Sequence, residues 1–239
     1  MKIELTAPII DAIPDFKLGI IHYNKTTVSQ SPQMLKGRLQ LFQEQLFFEQ
    51  EERQLTDIQG IKEWRAIWKT FGADPARYRP SVESLYRRIR KQDYLESHSS
   101  AIDLNTLFSL QYGIPTGMYD ASKLVGDVQV TVGRQEEGYD GLNGRFNSLN
   151  KLILLKDQYS PFGSPYVDSV RCAITEETKE IVHVLYLRPS LRAMEAKRLT
   201  EACSSMFTNI NGGDAATYVL EAAAPSIQLP VLSSQQLTD

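Results

Sequence analysis

The stretch Gly113-Ile-Pro-Thr-Gly-Met-Tyr-Asp-Ala-Ser-Lys-Leu-Val-Gly-Asp127 constrains the fold more than any other part of the chain. Before it, the apolar positions from Ala101 to Tyr112 recur at helical spacing. After it, Asp127 to Val132 alternates like a strand. Gly113 suits the left-handed position just past a helix end, and Pro115 bars continuation of the helix. Gly126-Asp127 is a turn signal. The spacing therefore predicts a helix, a loop over 113–127 and a strand. The loop carries an aromatic, a carboxylate and an amine in Tyr119, Asp120 and Lys123.

The rest of the chain separates into helical and extended parts. Lys17-Leu-Gly-Ile-Ile-His-Tyr23 has the β-branched and aromatic content of a strand, with His22 a strand residue holding a satisfied hydrogen bond. Ser31-Pro32 predicts a helix entry, with Leu35, Leu39, Phe42 and Leu46 as its buried stripe and the glutamates from Glu49 to Glu52 on a solvated face. Ile61, Trp64, Trp68 and Phe71 give a second helix whose tryptophans pack in the core. Pro80 fits a third helix start, and Ser97 to Tyr112 a fourth with a capping-box outline at Ser100 and Asp103. His98 is an exposed loop residue just before it. Strands follow over Val128–Val132, Leu152–Leu155, Tyr166–Ile174 and Ile181–Leu187, with a ragged loop or hairpin over 136–150. Ser190 is the expected cap of a last helix, and Thr217–Leu220 a last strand.

Composition bounds the partners. A net charge of -3 over 239 residues supplies no overall field toward nucleic acid or membrane, so any RNA contact needs a local patch. Arg77, Arg79, Arg87, Arg88, Arg90 and Lys91 form that patch, with Glu83 the sole acid among them. It reads either as a phosphate-contacting face or as a solvated helix surface paired with acids elsewhere. Cys172 and Cys203 make no disulfide framework, and the three histidines are scattered away from any metal-ligand spacing. No apolar run approaches a membrane span, and the amino-terminal residues carry no targeting signal. The expectation is a soluble cytoplasmic protein with no cofactor or metal. Walker, Gly-x-Gly-x-x-Gly and Gly-x-Ser-x-Gly motifs are absent, against nucleotide hydrolysis and α/β-hydrolase chemistry.

The pattern Gly-x-Pro-x-x-x-(Phe/Tyr)-Asp-x-x-Lys-Leu-x-Gly-Asp is filled by Gly113, Pro115, Tyr119, Asp120, Lys123, Leu124, Gly126 and Asp127. It resembles the B3/B4 domain of the bacterial phenylalanyl-tRNA synthetase β-subunit. A second run, Phe71 to Arg88, resembles free-standing B3/B4-like proteins, which lack the rest of the synthetase. The likeness is clear over Phe71 to Leu187 and looser on the flanks. It implies an α+β fold, a three-layer sandwich of two β-layers and a helical layer. The strands concentrated between Asp127 and Leu187, with helices before and after, agree in kind. One domain would span 1–232, with a helical part over 31–112, a strand-rich core over 113–188 and a closing helix and strand over 189–224. Residues 233–239 would be a flexible tail.

In the synthetase this segment borders a pocket that hydrolyses wrongly charged tRNA. Such chemistry needs a positioned water, a proton acceptor and donors for the developing oxyanion. Two departures bear on it. The synthetase pattern Pro-Leu-His-Ala-Phe-Asp carries His where Gly117 stands, and a Ser-Glu-Val run carries Glu near the position of Ala173. By motif position Asp120, Asp168 and Glu176 are the candidate general bases, Asp120 being equally a loop-capping carboxylate. Met118 or Tyr119 would form the apolar side of a substrate pocket, with Ser169, Arg171 and Thr175 supplying polar groups; Arg171 could also point outward as an ordinary strand arginine. Three functions fit this reading: a free-standing deacylase of misacylated tRNA, a non-catalytic tRNA-binding module, or an amino-acid-binding protein on the same fold. The implied partner is tRNA or aminoacyl-tRNA, with no DNA and no membrane.

Overall fold

A computed structural model describes residues 1–50 and 54–230. The expected tail over 233–239 lies outside the described residues, as do Glu51 and Glu52 of the acidic run. The elements in chain order are β1 (Lys2–Leu5), α1 (Ala7–Ala12), β2 (Leu18–Asn24), α2 (Gln33–Glu49), α3 (Gln59–Thr70), α4 (Ser81–Ile89) and α5 (Ser100–Tyr112). Then come β3 (Thr116–Asp120), β4 (Val128–Val132), β5 (Gly138–Asp140), β6 (Phe146–Ser148), β7 (Ile153–Lys156), β8 (Pro161–Gly163) and β9 (Ile181–Tyr186). The described chain closes with α6 (Ala193–Asn211), β10 (Asp214–Leu220) and β11 (Ser226–Gln228).

Two larger sheets organise them. One runs β11-β1-β4-β7-β8, the other β10-β2-β9-β3, and β5 and β6 form a separate hairpin. The central strand β9 explains the layering. Its run Ile181-Val-His-Val-Leu-Tyr186 is buried on both faces, as a nearly unbroken apolar strand demands. Val182, Val184 and Tyr186 pack into a core shared with the first sheet. Ile181 and Leu185 pack into a second core against α2, α4, α5 and α6. The order is therefore sheet, sheet, helices, and the fold is the α+β sandwich with two β-layers and a helical layer. Trp64 and Trp68 are fully buried in the inter-sheet core, and Trp64 Nε1 donates to the Tyr186 carbonyl at 2.9 Å.

Several local expectations are corrected. The stretch 113–127 is not one loop. Gly113 ends α5 in the left-handed region at φ 64°, but Thr116–Asp120 then forms β3, paired antiparallel with β9 from Thr116↔Leu185 to Asp120↔Ile181. All five of its residues are buried, so its main-chain groups need strand partners rather than water. The expected strand over Tyr166–Ile174 is absent. Its backbone is held by side chains instead: Ser164 Oγ accepts from Val167 N at 3.2 Å, and only Ser169 makes an isolated bridge, to Gly141. Strands also extend beyond 127–187. β1 pairs parallel with β4 and antiparallel with β11; β1 is four residues long and β11 three.

The helix caps shift as well. Ser31 does not cap α2; its hydroxyl donates to Asp103 Oδ2 at 2.6 Å. α5 starts at Ser100 with Ser99 as its cap, accepting from Ile102 N, while Ser100 Oγ donates to Asn211 Oδ1 at 2.5 Å. α6 starts at Ala193, with Arg192 at the cap and Glu195 answering it, while Ser190 Oγ donates to Glu63 Oε1 at 2.5 Å. In each case a serine placed to cap is drawn into a contact distant in sequence.

Candidate functional site

β3 and the 160–178 segment, distant in sequence, meet in space. The alternation of β3 sends Tyr119 into the inter-sheet core and Met118 into the helical-side core. Met118 therefore does not share a wall with Tyr119, and of the two residues offered for the apolar side it is Tyr119 that meets the 160–178 segment. The Tyr119 hydroxyl donates to Asp168 Oδ1 at 2.7 Å and lies 3.3 Å from the Tyr186 hydroxyl. Ser164 N also donates to Asp168 Oδ1, at 3.3 Å. Tyr139, from β5, donates to the Val167 carbonyl at 2.5 Å and fixes the turn that carries Asp168. Sequence reasoning did not single out Tyr139, Ser164 or Tyr186. The one signal for Tyr186 was a polar-tipped residue ending an otherwise apolar strand.

The electrostatics follow from this packing. Burial pushes the Asp168 carboxyl up to about 7, against the opposing hydrogen bonds from Tyr119 and Ser164 N. The residue is nonetheless only half-buried, and no described hydrogen bond reaches Oδ2. Burial, reinforced by the neighbouring Asp168 charge, lifts the Tyr119 and Tyr186 hydroxyls well above the ordinary tyrosine range, so both remain protonated donors at neutral pH. The cluster thus holds a carboxyl that titrates near neutrality beside two fixed hydroxyl donors. That is the protonation chemistry of a general base that can return its proton.

Two glycines make room for it. A Cβ on Gly117 would sit 2.2 Å from the Tyr119 hydroxyl and 3.1 Å from Asp168 Oδ2. One on Gly163 would also sit 2.2 Å from that hydroxyl. Gly117 stands where the synthetase pattern has His, and Tyr119 where it can have Phe. The Tyr119 hydroxyl occupies the space that a side chain at 117 would need.

The other candidates separate. Asp120 closes the turn after β3: Oδ1 accepts from Ser122 N at 3.1 Å, and Oδ2 accepts from Thr178 Oγ1 at 2.9 Å with Lys123 Nζ at 3.7 Å. Lys123 Nζ donates to the Ala173 carbonyl at 2.7 Å. Arg171 points inward as a clamp. It donates to the carbonyls of Lys123 (3.1 Å) and Ser160 (3.2 Å), pairs with Asp157 at 3.0 Å and lies over the rings of Tyr159 and Phe162. Ser169 is buried, accepting from Arg171 N at 3.0 Å. Thr175 and Glu176 are exposed on the turn before β9, apart from Asp168. The junction is therefore tightly packed rather than a wide pocket, with Tyr119 and Ser169 1% and 3% exposed.

The six basic residues of 77–91 are all exposed. Arg87 pairs with the buried Glu83 at 2.9 Å, which also holds Arg65, and Arg88 pairs with Asp93 at 2.9 Å. Arg77, Arg79, Arg90 and Lys91 have no ion pair among the described residues. The segment abuts the Asp168 turn: Ser81 N donates to the Pro165 carbonyl at 2.7 Å, and the Tyr78 and Tyr166 rings meet edge-on at 5.5 Å.

The histidines take structural places. His98 is exposed, its amide donating to Asp103. His183 is buried between Tyr23 and Phe108, and burial lowers its pKa to about 3. His22 meets Glu180 at 2.6 Å through Nε2, and its Nδ1 has no partner. A cavity of about 330 Å³ lined by Ala121, Leu124, Gly126, Asp127 and Glu180 lies beside that pair. Among the described residues no helix is long and apolar enough to cross a membrane, and no group of three or more ligating side chains could hold a metal ion.

Comparison with known proteins gives the same family. A Bacillus subtilis (strain 168) protein, "Uncharacterized protein YhzB", is 30% identical over 214 residues, covering 89% of this chain and 96% of its own. An N-terminal fragment of the phenylalanyl-tRNA synthetase β-subunit from Pyrococcus horikoshii aligns over 89% of this chain at 13% identity and a TM-score of 0.44. The chain spans about half of that fragment, 49%. The family model for the B3/4 domain matches residues 63–225, which contain β3, the Asp168 turn and the basic segment, and the chain belongs to the B3/4 domain family.

Proposed function

We propose that this chain acts on tRNA in the cytoplasm, as a free-standing domain spanning 1–232 that hydrolyses the ester of misacylated tRNA. The observation that carries the reading is Asp168. A half-buried carboxyl with a pKa of about 7 sits where the two motif segments meet, with one oxygen free of described hydrogen bonds. In this role Asp168 accepts the proton of the attacking water, and Tyr119 holds its other oxygen in place. Arg77, Arg79, Arg90 and Lys91 supply phosphate contacts beside the Asp168 turn. Asp120 and Arg171 serve as braces of the junction, while Thr175 and Glu176 lie on the solvent side where a tRNA end would approach.

The test is deacylation across a panel of correctly and wrongly charged tRNAs. The wild-type protein should hydrolyse one or a few of the wrong pairs, with a rate that rises as pH increases through about 7. Asp168→Asn should lose hydrolysis and keep tRNA binding. A second reading, a tRNA-binding module without chemistry, is favoured by the close packing around Tyr119 and Ser169. Salt-sensitive tRNA binding by a wild-type protein inactive on the whole panel would establish it. Binding of free amino acids without tRNA binding would instead favour the small-molecule reading.

A further inference from the structure

α2 buries one apolar face and leaves a second one open. Leu35, Leu39 and Leu46 face the core, whereas Met34, Leu41 and Phe48 are 75%, 68% and 69% exposed. These three lie seven positions apart, so they form one stripe about 21 Å long on the outer face of the helix. Gly37 borders the stripe, and a Cβ there would meet nothing within 4 Å, so a neighbour could approach the helix backbone closely. A shallow depression of about 500 Å³ runs over Met34, Gly37, Arg38 and Leu41. Exposed apolar residues scattered singly are ordinary, but three at heptad spacing on one helix face suit a helix–helix contact.

We propose that this stripe is a self-association surface, with α2 packed antiparallel on α2 of a second copy about a two-fold axis at Leu41. The spacing is self-complementary about that residue. Leu41 meets Leu41 of the second copy, and Met34 lies at the height of Phe48 of the second copy, because the two are equally far from the axis. The charges select the direction. Arg38 lies one turn before Leu41 and Glu44 one turn after it, flanking the stripe. Antiparallel packing sets Arg38 against Glu44 of the second copy, whereas parallel packing sets like against like. No described ion pair uses either residue, so their charges are available to a second copy.

The experiment is sedimentation equilibrium on the full chain, supported by crosslinking. Wild type should show a concentration-dependent dimer. Leu41→Glu should weaken it by about thirtyfold or more, as loss of a central apolar anchor does. Leu41 is exposed, so circular dichroism should be unchanged in that variant. Arg38→Glu should weaken the dimer, and adding Glu44→Lys should restore it. Under diamide, Met34→Cys mixed with Phe48→Cys should form a disulfide between copies, and Met34→Cys alone should not; the native Cys172 and Cys203 are buried and stay silent. A wild-type monomer up to about millimolar concentration, a dimer indifferent to Leu41→Glu, or self-crosslinking by Met34→Cys alone would overturn the proposal.

Discussion

Replacing Asp168 by Asn tests the reasoning behind the site without any substrate. Asparagine keeps an oxygen for the Tyr119 hydroxyl and Ser164 N, and removes only the ionisation. The native carboxyl titrates near 7 because burial disfavours its charged form. A folded pKa raised above the unfolded one means that the native state holds the proton more tightly. The associated stability is fully present below the unfolded pKa, near 4, and is lost as pH rises through 7. With about 1.4 kcal/mol per tenfold change in the ionisation equilibrium, the loss between about pH 5 and pH 8 is at most about 2.6 kcal/mol. Solvent contact at this half-buried residue reduces it to about 1–2 kcal/mol. Urea denaturation at a series of pH values measures the difference. Wild type minus Asp168→Asn should fall by that amount from about pH 5 to pH 8 and level off above. Parallel profiles for the two proteins would refute the raised pKa, and with it the assignment of Asp168 as a base working near neutrality.

Gly117→Ala should destabilise the protein by about 1–3 kcal/mol, since its Cβ would lie 2.2 Å from the Tyr119 hydroxyl. Adding Tyr119→Phe should recover part of that loss, and an additive double-mutant cycle in urea would deny the coupling. Glu83→Ala should cost about 3–5 kcal/mol, because it leaves the partly buried Arg65 without its carboxylate, and a thermal melt unchanged within error would contradict that. Arg79→Ala with Arg90→Ala should weaken tRNA binding and lower the salt slope by about 2, while an unaltered slope would remove these residues from the interface.

The features legible in the sequence were those set by local physics. Gly113 ended its helix in the left-handed region because no later residue could take that conformation before Pro115. The run from Ile181 announced a strand through its own hydrophobicity. Ser31, Ser100 and Ser190 were read locally as caps, and each hydroxyl instead answered a partner far along the chain. β3 was missed because Pro115, Gly117 and Asp120 read as a loop until β9 supplies the pairing. Asp168 was legible as a candidate by position alone. Its pKa is raised by burial, against the hydrogen bonds from Tyr119 and Ser164 N, and no sequence spacing brings these groups together.

The strand pairing also sets an order of events during synthesis. β1 and β2 occupy residues 2–24, yet β1 pairs with β4 and β11, and β2 pairs with β9 and β10. β1 and β2 therefore leave the ribosome well before their partners, whose full set is not available until residue 228 has emerged. Through that interval Ile3, Leu5, Ile20, Ile21 and Tyr23, all buried in the finished fold, are open to any other strand edge. A nascent chain stalled before β9 should be held by chaperones or aggregate, even though α2 to α5 can already coil. Closing sheets with partners so distant along the chain is slow, and the unpaired amino-terminal strands make the delay hazardous.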